Sequence, residues 1–356
     1  MKLSEKKYKR VVIKIGSSLL SADKHKLASD FIEGVAAEVS SLVREGKEIV
    51  LVSSGAIACG MSLLGLASRP RELSYLQAAA ALGQPELMHL YRRSFKERAL
   101  ETAQILLTWE DFDDRSRYLN AKNTLLTLLK LRSVPVINEN DSVSTDEIKF
   151  GDNDRLSALV ASLIAADLLI ILSDVEGLLM KDKKTLVRVV ADITPGIKAL
   201  ASSTKGRTCV GGMVTKIEAA GIAINSGIPC VIANGRQKEV ISSLIKAPDS
   251  CGTLFIPQKG YLTAKERWIA FSAKPKGKIV VDNGAKNALL NGKSLLSVGI
   301  VSLEGVFEGN DVVSILDKEG NDFARGRVTL SAKHLDKIKG SRYEKEIIHR
   351  DNLVIL

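Results

Sequence analysis

Cysteine and histidine are scarce in this chain of 356 residues, four of each, and their placement excludes two kinds of chemistry. Cys59, Cys209, Cys230 and Cys251 include no C-x-x-C pair, and His25, His89, His334 and His349 stand equally far apart, so no zinc cluster is spelled out. Disulfide frameworks belong to small secreted domains, and the thiols of a chain this long read as reduced, in the cytoplasm. Nothing local pairs a cysteine with a histidine as nucleophile and base. Long hydrophobic runs are equally few. After the basic start MKLSEKKYKR only Val11, Val12 and Ile13 follow before Lys14 interrupts, too short for the apolar region of an export signal. The longest apolar stretch, Leu156 to Ser173, is divided by Asp167. An ionised aspartate near the centre of a membrane span costs roughly 2.5–3.5 kcal/mol, so this stretch reads as a buried helix followed by a buried strand. Also missing are G-x-x-x-x-G-K-[ST] and, after the first strand, G-x-G-x-x-G, which removes the main support for P-loop and Rossmann dinucleotide sites. His349-Arg350-Asp351 and Asp322-Phe323-Ala324 imitate protein-kinase motifs, but in the wrong order and without a glycine-rich loop, and are chance.

What is present is ordinary globular material, 45% hydrophobic and 26% charged, long enough for about two domains. Lysine and arginine outnumber acidic residues 51 to 41, and the formal +10 invites an anionic partner: nucleic acid, a membrane surface or a phosphorylated small molecule. Six short β-branched and aliphatic runs recur: RVVIKIG, EIVLVSSG, TAQILLT, VPVINEN, LLIILSD and IPCVIANG. None alternates polar with apolar. Strands buried on both faces, separated by helices, predict an α/β sandwich with a mainly parallel sheet over residues 1–257. Helices are expected over Ser29–Glu45, Glu72–Ala81, Pro85–Ala99, Tyr118–Lys130 and Met213–Asn225. Residues 258–274 read as a linker with one short strand at Trp268–Phe271. Residues 275–356 read as a small, mainly β module punctuated by N-G, E-G and K-E-G-N turns.

Ligands of such a sheet bind at the carboxyl ends of its strands, and four polar motifs fall there. In VVIKIGSS, Lys14 either snorkels at an edge or points over the strand end at phosphates, with Gly16 letting the backbone approach. In VSSGAIACG, residues Ser53, Ser54 and Gly55 either form a plain serine cap or present N–H groups to an anion. From Asn138 to Ala158, six carboxylates (Glu139, Asp141, Asp146, Glu147, Asp152 and Asp154) fall within sixteen residues beside Asn138, Asn140 and Asn153. That is a solvated acidic loop or a site for a zwitterion, with carboxylates holding an ammonium and amides a carboxylate. VGGMVTK opens a helix, so Gly211 and Gly212 can lie close to a nucleotide and Lys216 can add a second cation. Ser173-Asp174 ends a strand at the same edge. Together these features equip a site for phosphoryl transfer from a nucleotide to a small charged acceptor. An acceptor carboxylate is already ionised and needs no general base, which suits a site without histidine.

In this order, VVIKIGSS, VSSGAIACG, VPVINENDSVST, EIKFGDNDRLSA, LSDVEGL and GGMVTKIEAA resemble the glutamate 5-kinases of the amino acid kinase family, and the C-terminal module is similar to a PUA domain. The resemblance covers nearly the whole chain. It implies ATP and L-glutamate as substrates, Mg²⁺, L-glutamyl 5-phosphate as product and first step of proline synthesis, proline as feedback inhibitor, and a homo-oligomer. It also implies roles by position. Lys14 looks like the phosphate-contacting lysine, Ser54, Asp141 and Asn153 like the glutamate contacts. Ser173, Asp174 and the stretch Val210, Gly211, Gly212, Met213, Val214, Thr215 and Lys216 match the nucleotide site, with Asp154 organising the two lysines. No metal ligand is assigned. Cys209-Val210 stands where the family commonly reads Gly-Thr, so the resemblance carries only backbone contact at 210. Two alternatives stay open. Another amino acid kinase is disfavoured by the GDND segment and the β module, since aspartokinases carry ACT-type domains. RNA binding through the last 99 residues draws on a formal +5 there, without an aromatic ladder for stacking bases.

Overall fold

The computed structural model describes residues 8–20, 26–143, 153–202, 212–257 and 262–356, in two compact units. The first comprises Met1–Asp111 and Ser116–Tyr261, the second Phe112–Arg115 and Leu262–Leu356.

Each of the six apolar runs forms a strand of the first unit. Its strands are β1 (Arg10–Ile15), β2 (Glu48–Ser53), β3 (Thr102–Leu107), β4 (Val134–Glu139), β5 (Leu168–Ser173), β6 (Val189–Val190), β7 (Cys230–Asn234) and β8 (Thr253–Phe255). They lie in the order β3-β4-β2-β1-β5-β7-β8-β6, and only the β7–β8 pairing is antiparallel. The chain leaves β1 toward β2 and β5 toward β7, so the order reverses between β1 and β5, the crevice where open α/β sheets bind ligands. The helices are α1 (Ser17–Leu20), α2 (Lys26–Arg44), α3 (Ala56–Leu63), α4 (Leu73–Lys96), α5 (Trp109–Asp113), α6 (Arg115–Lys130), α7 (Asn153–Leu163), α8 (Pro195–Ser202), α9 (Met213–Asn225) and α10 (Val240–Lys246).

Two-residue periodicity decides which face each strand residue serves. Val11, Ile13 and Ile15 join a core with residues of α2, α4 and α10, such as Val39, Leu87 and Ile241. Val12 and Lys14 therefore face the opposite side, where α7 packs on β1 and pairs with α9. The divided stretch 156–173 is helix α7 and strand β5, as its composition predicts. Asp167 between them accepts the N–H groups of Lys9 and Arg10 at 2.9 and 2.8 Å, tying the start of β5 to the start of β1. Among the described residues no helix is long and apolar enough to cross a membrane.

Three local expectations fail. The helices expected over 72–81 and 85–99 are one helix, α4, which runs through Pro85. Proline removes one N–H from the ladder, but Ala81, whose carbonyl loses its donor, is exposed, so water can replace it. Trp268–Phe271 is no strand. Thr263 and Glu266 form a reciprocal capping box that starts a helical turn, α11 (Ala264–Arg267), and a π-helical turn follows over Trp268–Ser272. Finally, Asn283-Gly284 is no turn, because Asp282 accepts the Ala285 N–H and opens helix α12 (Asn283–Leu290).

The second unit has its own five-stranded sheet, with β9 (Gly277–Val281), β10 (Ile300–Gly305), β11 (Val312–Leu316), β12 (Asp322–Arg327) and β13 (Leu353–Ile355) in the order β10-β9-β11-β12-β13. Its separate core includes Ile279, Val281, Phe307, Val313, Ile315 and Leu335.

Candidate active site

Lys14 is one residue short of the end of β1, opposite Val52 of β2 and Ile171 of β5. Its direction across the sheet brings the ammonium to the first turn of α7, 2.5 Å from Asp154 Oδ1. Lys216, one turn into α9, donates to Asp154 Oδ2 at 3.0 Å from the other side. The Thr215 hydroxyl lies 3.0 Å from the same Oδ2 and 2.9 Å from the Gly212 carbonyl. Both lysine side chains are 6% exposed and that of Asp154 1%, so this is a dry cluster and not a surface ion pair. Burial alone would raise the Asp154 pKa. The two ammonium groups more than offset it and hold the carboxyl below its ordinary range. Among the described residues two cations face one anion at the end of the sheet, an arrangement that suits a phosphate.

Next to this cluster is a knot of amides. Asn153 opens α7, and its Nδ2 lies 3.1 Å from the Ser53 carbonyl, 2.9 Å from Ser54 Oγ and 2.9 Å from Asn138 Oδ1. Asn138 Nδ2 donates to Gln84 Oε1 at 2.8 Å. Asn153 Nδ2 therefore faces acceptors within the protein, and one N–H of Asn138 is taken by Gln84. Asn153 also keeps a buried Oδ1 that no donor among the described residues reaches. The serine loop does not form the plain serine cap. Ser54 N–H donates to the Ile15 carbonyl at 3.2 Å, and the position before α3 belongs to Gly55, at φ 108°, where a side chain would be strained. Asp141 follows β4 by two residues and is half-buried.

On the nucleotide side, Ser173 ends β5 and donates from Oγ to Asp174 Oδ1 at 3.1 Å; Ser173 is buried and Asp174 exposed. Gly16 N–H donates to the Leu172 carbonyl at 3.0 Å, so the first loop and this strand end are adjacent. Gly212 and Val214 are exposed, Met213 is buried and Thr215 is half-buried. Val210 and Gly211 lie outside the described residues, as do Asp146, Glu147 and Asp152 of the acidic run.

Two contributors lie outside the motifs, and a third stands unassigned within one. Gln84 and Tyr91 come from α4, where Tyr91 OH and Ser53 Oγ are 2.8 Å apart. Arg155, next to Asp154, lies over the Trp109 ring, 4.2 Å from its centroid. The available signal for Gln84 is a polar residue on the apolar stripe of a helix.

Residues 9–234 match the model of the amino acid kinase family, and residues 277–350 match the PUA domain. Proteins named glutamate 5-kinase are similar over nearly their full length. That of Caldanaerobacter subterraneus subsp. tengcongensis is 44% identical, with 98% of each chain covered. That of Citrifermentans bemidjiense is 44% identical over 99% of this chain and 98% of its own. That of Burkholderia thailandensis is 46% identical over 98% of each. A parallel sheet with its charged cluster at the switch point, and a family match spanning all of β1 to β7, agree: this chain belongs to the amino acid kinase family.

Proposed function

We propose that this chain transfers the terminal phosphoryl group of ATP to the side-chain carboxylate of L-glutamate, giving L-glutamyl 5-phosphate, the first step of proline synthesis, in the cytoplasm. The observation that carries this reading is the buried Lys14–Asp154–Lys216 cluster at the strand ends, beside Asn153 and Ser54. A carboxylate oxygen of the acceptor attacks the γ-phosphorus, the bond to the β,γ-bridging oxygen breaks, and ADP leaves with that electron pair. No proton moves, so no general base is required. Lys14 and Lys216 draw the charge of the transferring group, and Asp154 fixes both ammonium groups. Ser54, Asp141 and Asn153 are assigned to glutamate. Ser173, Asp174 and the residues from Val210 to Lys216 are assigned to the nucleotide. Mg²⁺ supplies further charge neutralisation when bound. Asp154 already holds two ammonium groups, so phosphate oxygens and water would carry the ion, a usual arrangement for Mg²⁺.

The test is incubation with ATP, Mg²⁺, glutamate and hydroxylamine, which should yield a hydroxamate; a better yield from aspartate or acetylglutamate would refute the assignment. The same assay with proline and sedimentation of the enzyme test the inhibitor and the homo-oligomer. Lys14→Ala and Lys216→Ala should lower kcat by about 10²-fold or more, and Asp141→Ala should mainly raise the glutamate KM. The opposite pattern would overturn these roles.

A further inference from the structure

Helix α4 carries a glutamine where its buried stripe calls for an apolar residue. Leu76, Ala80, Gly83, Leu87 and Tyr91 mark that stripe, and Gln84 lies on it, 8% exposed. An amide so far from water needs a partner at each end. Gln84 Oε1 accepts from Asn138 Nδ2 at 2.8 Å, and its Nε2 donates to Gln104 Oε1 at 3.2 Å. Asn138 Oδ1 in turn accepts from Asn153 Nδ2 at 2.9 Å.

Two backbone groups decide which way these amides point. The Ser53 carbonyl can only accept, so the Asn153 atom facing it at 3.1 Å is the nitrogen. The Glu139 N–H can only donate, so the Asn138 atom facing it at 2.9 Å is the oxygen. Asn138 must then turn its nitrogen toward α4, and Gln84 must offer an oxygen. With Asn153 fixed in this sense, its Oδ1 is left buried and without a donor among the described residues. A desolvated carbonyl oxygen one residue from Asp154 is a place for an N–H of the ligand, not for a carboxylate.

We propose that Gln84 is a positioning residue for the acceptor: acting through Asn138, it holds Asn153 so that Oδ1 receives the ammonium group of the amino acid. This rests on the reading of the site as an amino acid phosphorylating one. Without the Gln84 oxygen, Asn138 Nδ2 is buried with no acceptor. A flip of Asn138 would repair that only by setting its nitrogen against Asn153 Nδ2 and the Glu139 N–H, donor against donor.

The experiment compares the full-length enzyme with Gln84→Leu and Gln84→Glu, measuring KM for glutamate and for ATP and the inhibition constant of glutarate, which is glutamate without its amino group. Glutamic acid keeps the acceptor for Asn138, and the exposed Gln104 amide can turn to donate to it. Gln84→Leu should raise the glutamate KM about tenfold while the ATP KM and the glutarate constant stay within about twofold, so the preference for the amino group shrinks. Gln84→Glu should restore most of that preference. Equal losses for glutamate and glutarate, or a preference unchanged in Gln84→Leu, would overturn the relay alone. If Gln84→Leu does not fold, the Gln84→Glu arm decides: a lost preference in that variant overturns the relay, and a retained one supports it. A wild-type enzyme that makes no hydroxamate from glutamate would instead remove the proposed function beneath it.

Discussion

Two buried ammonium groups share one carboxylate at the end of β1, so Asp154 is the common counter-charge of Lys14 and Lys216. Asp154→Asn leaves nearly the same shape but removes the anion, and breaking a buried pair in this way costs about 3–5 kcal/mol. The variant can relieve the cost by releasing a proton from a lysine, because burial without a counter-charge lowers an amine pKa. Its kcat relative to that of the wild type is therefore expected to fall as pH rises from 6 to 9. A pH profile parallel to the wild type, at any level of activity, would contradict this. Stability has the opposite sign. The Asp154 pKa is lowered in the folded protein, so its contribution is complete above the unfolded value of about 4 and is lost as pH falls through the lower folded value. Thermal midpoints should then drop below about pH 4 in the wild type and less so in Asp154→Asn.

The pairing of α3 with α4 sets the distance at which Gln84 and Tyr91 reach the site. A Cβ on Gly83 would lie 1.9 Å from the Ala56 carbonyl oxygen, and one on Gly60 would lie 1.8 Å from that of Ala79, so these helices touch backbone to backbone. Gly83→Ala must push them apart. The expected loss is at least about 1–3 kcal/mol, greater than the gain of up to ~1 kcal/mol in helix propensity, with a raised glutamate KM because Gln84 moves as well. Gly34 in α2 is the control: it is exposed, a Cβ there meets nothing within 4 Å, and Gly34→Ala should stabilise by about 0.5–1 kcal/mol. Denaturant titrations check both; stabilisation by Gly83→Ala would mean that the helices are not in backbone contact. The strands were legible in the sequence because a strand covered on both faces must be apolar throughout. Lys14 was legible as a charge at the end of such a run and Lys216 as a cation one turn past a glycine pair, whereas Asp154, one of six neighbouring carboxylates, was singled out only by the family resemblance. Gln84 was not legible, since its meaning depends on Asn138, 54 positions away, and on a helix that continues through Pro85. The helical turn at Trp268 was missed for the reverse reason: a capping box outweighed the β propensity of Trp, Ile and Phe.

Two cores in two compact units give the molecule two centres of stability, and the boundary between them does not follow the order of the chain. Phe112–Arg115, from the junction of α5 and α6, belongs to the second unit. There the Trp268 indole N–H donates to the Phe112 carbonyl at 3.0 Å, and the Lys274 N–H and Lys276 Nζ both meet the Asp113 carboxylate at 2.7 Å. The Arg115 guanidinium stands 5.4 Å from the centroid of the Trp268 ring. A cut after residue 261 would remove every one of these partners. Native-state hydrogen exchange separates this loss from general unfolding, because local opening reports each segment by itself. In the shortened chain the amides of residues 112–115 should exchange at least about tenfold faster, while those of Val12 to Ile15 in the central strand stay protected. The full chain with Trp268→Ala should show the same local effect to a smaller degree, since the Asp113 contacts remain. Unchanged exchange at 112–115 in both proteins would place that segment with the first unit, and equal acceleration at Val12 to Ile15 would mean that the kinase unit cannot hold its sheet without the second core.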